Sequence, residues 1–143
     1  MRITHPACTI TSHEYRGSHM TQVLAIAAGG AIGALLRYWV SSAVQNRTTS
    51  VFPYGTLTVN VIGSLLIGFL YIWLIERLAV GPAVRAFMLI GVLGAFTTFS
   101  TFSIETLNLM ESGHLGKALV NMLVSVIVCT GAAGLGVLAA RQL

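Results

Sequence analysis

Gly91-Val-Leu-Gly-Ala-Phe-Thr-Thr-Phe-Ser-Thr-Phe-Ser103, with Glu105 just beyond, lies inside an apolar segment that covers residues 86–110. Thr97, Thr98, Ser100 and Thr101 put four hydroxyls into five positions at its middle. Such residues hydrogen-bond neighbouring backbone and loosen the helical ladder. In lipid every backbone polar group needs an internal partner, so irregular backbone survives only where protein buries it or water reaches it. The stretch therefore predicts a membrane helix broken near its middle, with exposed carbonyls and N–H groups that can bind ions. One or two hydroxyls would mean only packing between helices. This density points to a site.

The rest of the chain agrees with a membrane setting. Of 143 residues, 55% are hydrophobic and 8% are charged, against about 25% charged in soluble domains. The mean hydropathy is +0.83. A net charge of +4 arises from basic residues scattered singly, which leaves no stripe for nucleic acid. Cys8 and Cys129 offer no zinc or redox spacing and read as unpaired. Residues 1–19 are polar, lack the apolar core of a signal peptide, and end in Gly17-Ser-His-Met20. That ending reads as a protease-site scar left by recombinant expression, so 1–19 stands as a leader or disordered tail and 20–143 as one transmembrane domain.

Four apolar segments follow, at 23–44, 56–74, 86–110 and 118–140, each near the ~20 residues that cross a bilayer. They are continuously apolar rather than alternating, which excludes barrel strands. The fold class is all-α, with four transmembrane helices and the third one broken. Gly29, Gly30, Gly33, Gly63, Ser64, Gly68, Gly131, Gly134 and Gly136 are small residues of the kind that let helices approach closely. One membrane face receives Arg77, Arg85 and Arg141, and the other receives Arg47, Lys117 and Arg37 if it snorkels. So small a bias leaves orientation undecided. Two oppositely inserted copies can then form an antiparallel, dual-topology homodimer.

Polar residues inside these segments each have a plain and a functional reading. Asn60 alone would be interhelical glue contributing roughly 0.6 kcal/mol. Arg37 is either a surface anchor or the lining of a wet vestibule that attracts anions. Glu105 is expected to cap or pair around the break, and Ser125 is glue or pathway. Phe96, Phe99 and Phe102 recur at spacing three, along one side of a helical stretch. Their positive ring edges can face an anion. With amide and hydroxyl donors they can replace the water of a small, strongly hydrated anion.

Gly94-Ala-Phe-Thr-Thr-Phe-Ser-Thr-Phe-Ser103 with Glu105 resembles the third-helix signature of the CrcB/Fluc fluoride channels. Gly55-Thr-Leu-Thr-Val-Asn60 resembles that family's second helix, and Gly29-Gly-Ala-Ile-Gly-Ala-Leu-Leu-Arg37 its first. The resemblance implies an antiparallel homodimer with two fluoride pores, in a bacterial inner membrane. It implies a fluoride pathway through Asn60, Phe99, Phe102 and Ser125, to which Thr101 and Arg37 are added as candidates. It also implies a central structural sodium ion held by the backbone carbonyls of Gly94 and Thr97 from both subunits. Asn121 stands where some members carry tyrosine. A small multidrug antiporter is the rival of another class, but it needs an acid in the first helix, where this chain has Arg37. No Ser/His pair, paired acids or metal cluster suggests an enzyme.

Overall fold

The computed structural model describes residues 12–143, with side chains from residue 19 onward. The part of the expected leader at 1–11, with His5 and Cys8, lies outside the described residues. Helix α1 (Ser12–Gln45) runs through Met20 without interruption, so no change of secondary structure marks that position. Helix α2 (Tyr54–Ile72) ends in a π-wound turn, Trp73–Arg77. The third passage is composite: α3 (Pro82–Arg85), a π-wound stretch Ala86–Leu93, α4 (Gly94–Phe96), and α5 (Phe99–Glu111). Helix α6 (Leu115–Gln142) closes the chain. Four passages are long and apolar enough to cross a membrane: His19–Gln45, Tyr54–Arg77, Pro82–Glu111 and Leu115–Gln142. They match the four expected segments, and no strand occurs among the described residues.

Close approach of backbones organises the packing. Helix α6 lies mainly on α2, while α1 lies mainly on the π-wound stretch of the third passage. A Cβ at Gly68 would overlap the Ala133 carbonyl, and one at Gly136 would overlap the Leu65 carbonyl, so α2 and α6 meet glycine to backbone. On the other side a Cβ at Gly29 would overlap the Phe87 carbonyl, and one at Gly33 the Val92 carbonyl. In lipid, where apolar burial drives little association, such contacts supply the dispersion that holds helices together. Gly30, Gly131 and Gly134 were expected to join them, yet each faces open space in the single chain.

The connections are tight and locally determined. Ala79 sits in the left-handed region (φ 45°) where the chain leaves α2. Pro82 then opens the third passage at its first helical position, where its missing N–H costs nothing. Gly113 (φ 80°) ends α5, with His114 N donating to the Leu109 carbonyl at 2.8 Å, a Schellman-type stop. Arg77 Nη2 donates to the Arg141 carbonyl at 3.0 Å, so the ends of α2 and α6 lie on one face, as the loop charges required. Leu24, Leu35, Ile90, Val126, Ile127 and Leu135 point outward. Only a hydrocarbon surround or a second copy makes that favourable.

Candidate functional site

The break falls between α4 and α5. Thr97 (φ −85°, ψ 157°) and Thr98 (φ −151°, ψ 116°) are both extended, which interrupts the ladder for two residues. Each polar group released there finds a specific fate. Thr97 N still reaches the Leu93 carbonyl at 3.1 Å, and its hydroxyl donates to the same oxygen at 3.2 Å. Thr98 N donates to Asn60 Oδ1 at 2.7 Å, while Asn60 Nδ2 donates to the Thr98 carbonyl at 3.0 Å. Asn60 thus pairs with the backbone of Thr98 as a neighbouring strand would.

The hydroxyl run has a division of labour. Thr98 is the N-cap of α5: its Oγ1 accepts from Thr101 N at 3.2 Å and donates to Thr101 Oγ1 at 2.9 Å. Threonine suits an N-cap because its oxygen satisfies an orphan N–H of the first turn. The N–H groups of Phe99 and Ser100 have no intrahelical partner. They form, with the helix dipole, a positive end inside the membrane span.

This end opens onto a groove of about 350 Å³ lined by Asn60, Ser64, Thr97, Thr98, Phe99, Phe102, Ser125, Cys129 and Thr130, together with Ile67 and Val126. No charged side chain contributes to it. Phe99 and Phe102 stand with ring centroids 5.3 Å apart and planes tilted by 41°. Phe99 is 77% exposed, so the groove's outer wall is unfinished in one copy. Phe96 corrects the expected row of three: the extended residues break the helical spacing, and Phe96 is buried against the position of Gly63.

Thr101 and Arg37 lie elsewhere. They line a second groove of about 220 Å³ with Ala34, Tyr38, Ser41, Thr56, Val59 and Thr98. Thr98 belongs to both grooves and separates them. Arg37 therefore faces a polar hollow, with its Nε buried and unpartnered. Glu105 was expected to cap or pair at the break. It pairs but does not cap, since Thr98 is the cap: Glu105 Oε1 accepts from Thr56 Oγ1 at 2.8 Å, and Oε2 is buried without a partner.

The backbone at Gly94 and Thr97 suits a hard cation. The donor that would close a helical bond to the Gly94 carbonyl is Thr98 N, and it is bonded to Asn60. The donor that would serve the Thr97 carbonyl is Thr101 N, and it is bonded to Thr98 Oγ1. Both carbonyls lose their usual helical partner. Carbonyl oxygens are the ligand type that hard cations take.

Sequence reasoning left Asn121 open and overlooked Thr106. Asn121 is 1% exposed and its Nδ2 donates to Thr106 Oγ1 at 2.8 Å. An asparagine in an apolar helix and a threonine four residues after Phe102 were visible. Their pairing depended on the rotation of α5 against α6.

Four apolar passages, one broken beside an uncharged groove, define a small multi-pass membrane protein. Residues 24–137 match the family described as CrcB-like protein, Camphor Resistance (CrcB), and the chain belongs to that family. It is similar to the fluoride-specific ion channel FluC of Methylococcus capsulatus, at 51% identity over 121 residues, 85% of this chain and 53% of that protein. The chain thus spans about half the length of that relative. The FluC proteins of Magnetococcus marinus (52% identity, 84% of this chain, 98% of that protein) and Coxiella burnetii (49%, 85% and 98%) are similar along nearly their whole length.

Proposed function

We propose that the chain is a fluoride-selective channel that lets fluoride leave the cytoplasm passively across a bacterial inner membrane and so gives fluoride resistance. The observation that carries this reading is the uncharged groove at the α5 N-terminus. Taking a small anion out of water costs several kcal/mol unless donors replace its shell. Asn60 has a second Nδ2 hydrogen beyond the one given to Thr98. The uncapped N–H groups of α5, the Ser125 hydroxyl and the edges of Phe99 and Phe102 complete a set of donors. Matched, weak steps of this kind let an ion enter and leave. Arg37 in the second groove draws anions toward the path. Thr101 lines the wall of that groove.

The open outer wall and exposed Phe99 support a second copy as the closing surface. The near balance of loop charges supports an antiparallel arrangement, with two pathways per dimer. The freed carbonyls of Gly94 and Thr97 from both copies would hold a structural sodium ion at the centre.

The test is fluoride release from liposomes containing only this protein. A passive channel releases fluoride fast when a potassium ionophore carries the compensating charge, and little without it. A proton-coupled cation antiporter gives no fluoride release but moves protons when a cationic drug is added. That second pattern would overturn the reading.

A further inference from the structure

We infer that Asn121, which lines neither groove, is a positioning residue for Phe102, acting through Thr106; this rests on the channel reading above. Thr106 has one hydroxyl proton, and that proton goes to the Phe102 carbonyl at 2.7 Å. A hydroxyl oxygen can still accept, and Asn121 Nδ2 fills that role at 2.8 Å. With the acceptor side of Thr106 occupied from α6, its proton is directed at Phe102, and the linked bonds polarise one another. The result is a relay from the core of α6 to the backbone of a groove phenylalanine.

Ser103 donates to the Phe99 carbonyl at 2.9 Å in the same four-residue pattern, but Ser103 is exposed, and among the described residues no α6 side chain hydrogen-bonds to it. One phenylalanine of the pair is tethered to α6 and the other is not. Ser125 follows Asn121 by four residues, so both lie on one face of α6. Ser125 and Phe102 border the same groove. Helix α6 touches α5 far less than it touches α2. Among the described residues one hydrogen-bonded pair, Asn121 with Thr106, joins α6 to α5, and it sets the register between the Ser125 side and the Phe102 side of the groove.

The bland alternative is interhelical glue, which predicts a stability loss and nothing specific at Phe102. The full-length protein would be reconstituted as the parent, Asn121→Leu, Thr106→Val, the double variant and Thr106→Ser. Para-fluorophenylalanine placed at position 102 or 99 reports each ring by fluorine NMR. The expected result is fluoride release slowed about tenfold in either single variant, the rate equivalent of one hydrogen bond. The double variant should be no slower than the singles, and Thr106→Ser should keep the parental rate. The fluorine signal should move at position 102 and stay at position 99. Parental rates in the folded single variants, or equal signal changes at both rings, would overturn the inference. If Asn121→Leu does not fold, the shape-conserving Thr106→Val decides by the same two readouts. A parent that releases no fluoride would sink the channel reading instead, while the contrast between the two rings would still test the tether.

Discussion

Asn60 carries more of the structure than a lone membrane asparagine normally does. An average interhelical hydrogen bond contributes roughly 0.6 kcal/mol, and a plain glue role would make Asn60→Ala mild. Here the side chain makes two bonds to one peptide segment, and its loss strands the buried Thr98 N–H, while the Thr98 carbonyl keeps only its place as first acceptor of α5. Stranding a buried donor costs about 1–3 kcal/mol. Asn60→Ala should therefore lower the unfolding temperature in detergent as well as slow fluoride. An unchanged melt would show that water or a rearranged Thr98 replaces the amide. Phe99→Ile and Phe102→Ile keep apolar bulk but delete the ring quadrupole. Both should fold like the parent and conduct fluoride more slowly, and parental rates would return the pair to simple packing.

At the scale of elements, the third passage is held open from α2. Gly63 faces the break so closely that a Cβ there would overlap Thr97 Cγ2. Gly63→Ala should displace the extended residues and cut fluoride release, whereas Gly30→Ala, facing open space in the single chain, should do far less. Thr97→Ser removes the overlapping methyl, so the double variant should regain most of the lost rate. Failure of that rescue would mean that α2 does not set the break through this contact. Four spans and a polar interruption were legible because apolar length and hydroxyl density are local properties. The partners were not. The bonds between Asn60 and Thr98 join positions 38 apart, and the one between Thr56 and Glu105 joins positions 49 apart. Such pairings depend on how far each helix rotates. Phe96 fell outside the expected row for a related reason: spacing of three marks one face only while the helix continues, and the break lies between Phe96 and Phe99.

At the scale of the whole molecule, charge and an unfinished groove support a two-copy assembly. Arg77 and Arg141 meet on one face, with Arg47 on the connection after α1 and Lys117 in the first turn of α6 at the other. So even a balance is easily tipped by added charge. Two lysines placed beside Arg47 should force one orientation and reduce fluoride release from that variant alone. A partner variant with two lysines beside Arg85 should insert the other way, and co-expression should restore the rate. Full activity from a population verified in one orientation would remove the antiparallel pair. The central claim is that an uncharged groove at a helix break passes fluoride by replacing its water. The measurement that meets it most directly is parallel release of fluoride and chloride from liposomes holding the purified parent, with potassium ionophore present. Fast fluoride release with chloride retained is the predicted result, and chloride leaving as fast as fluoride would contradict the account.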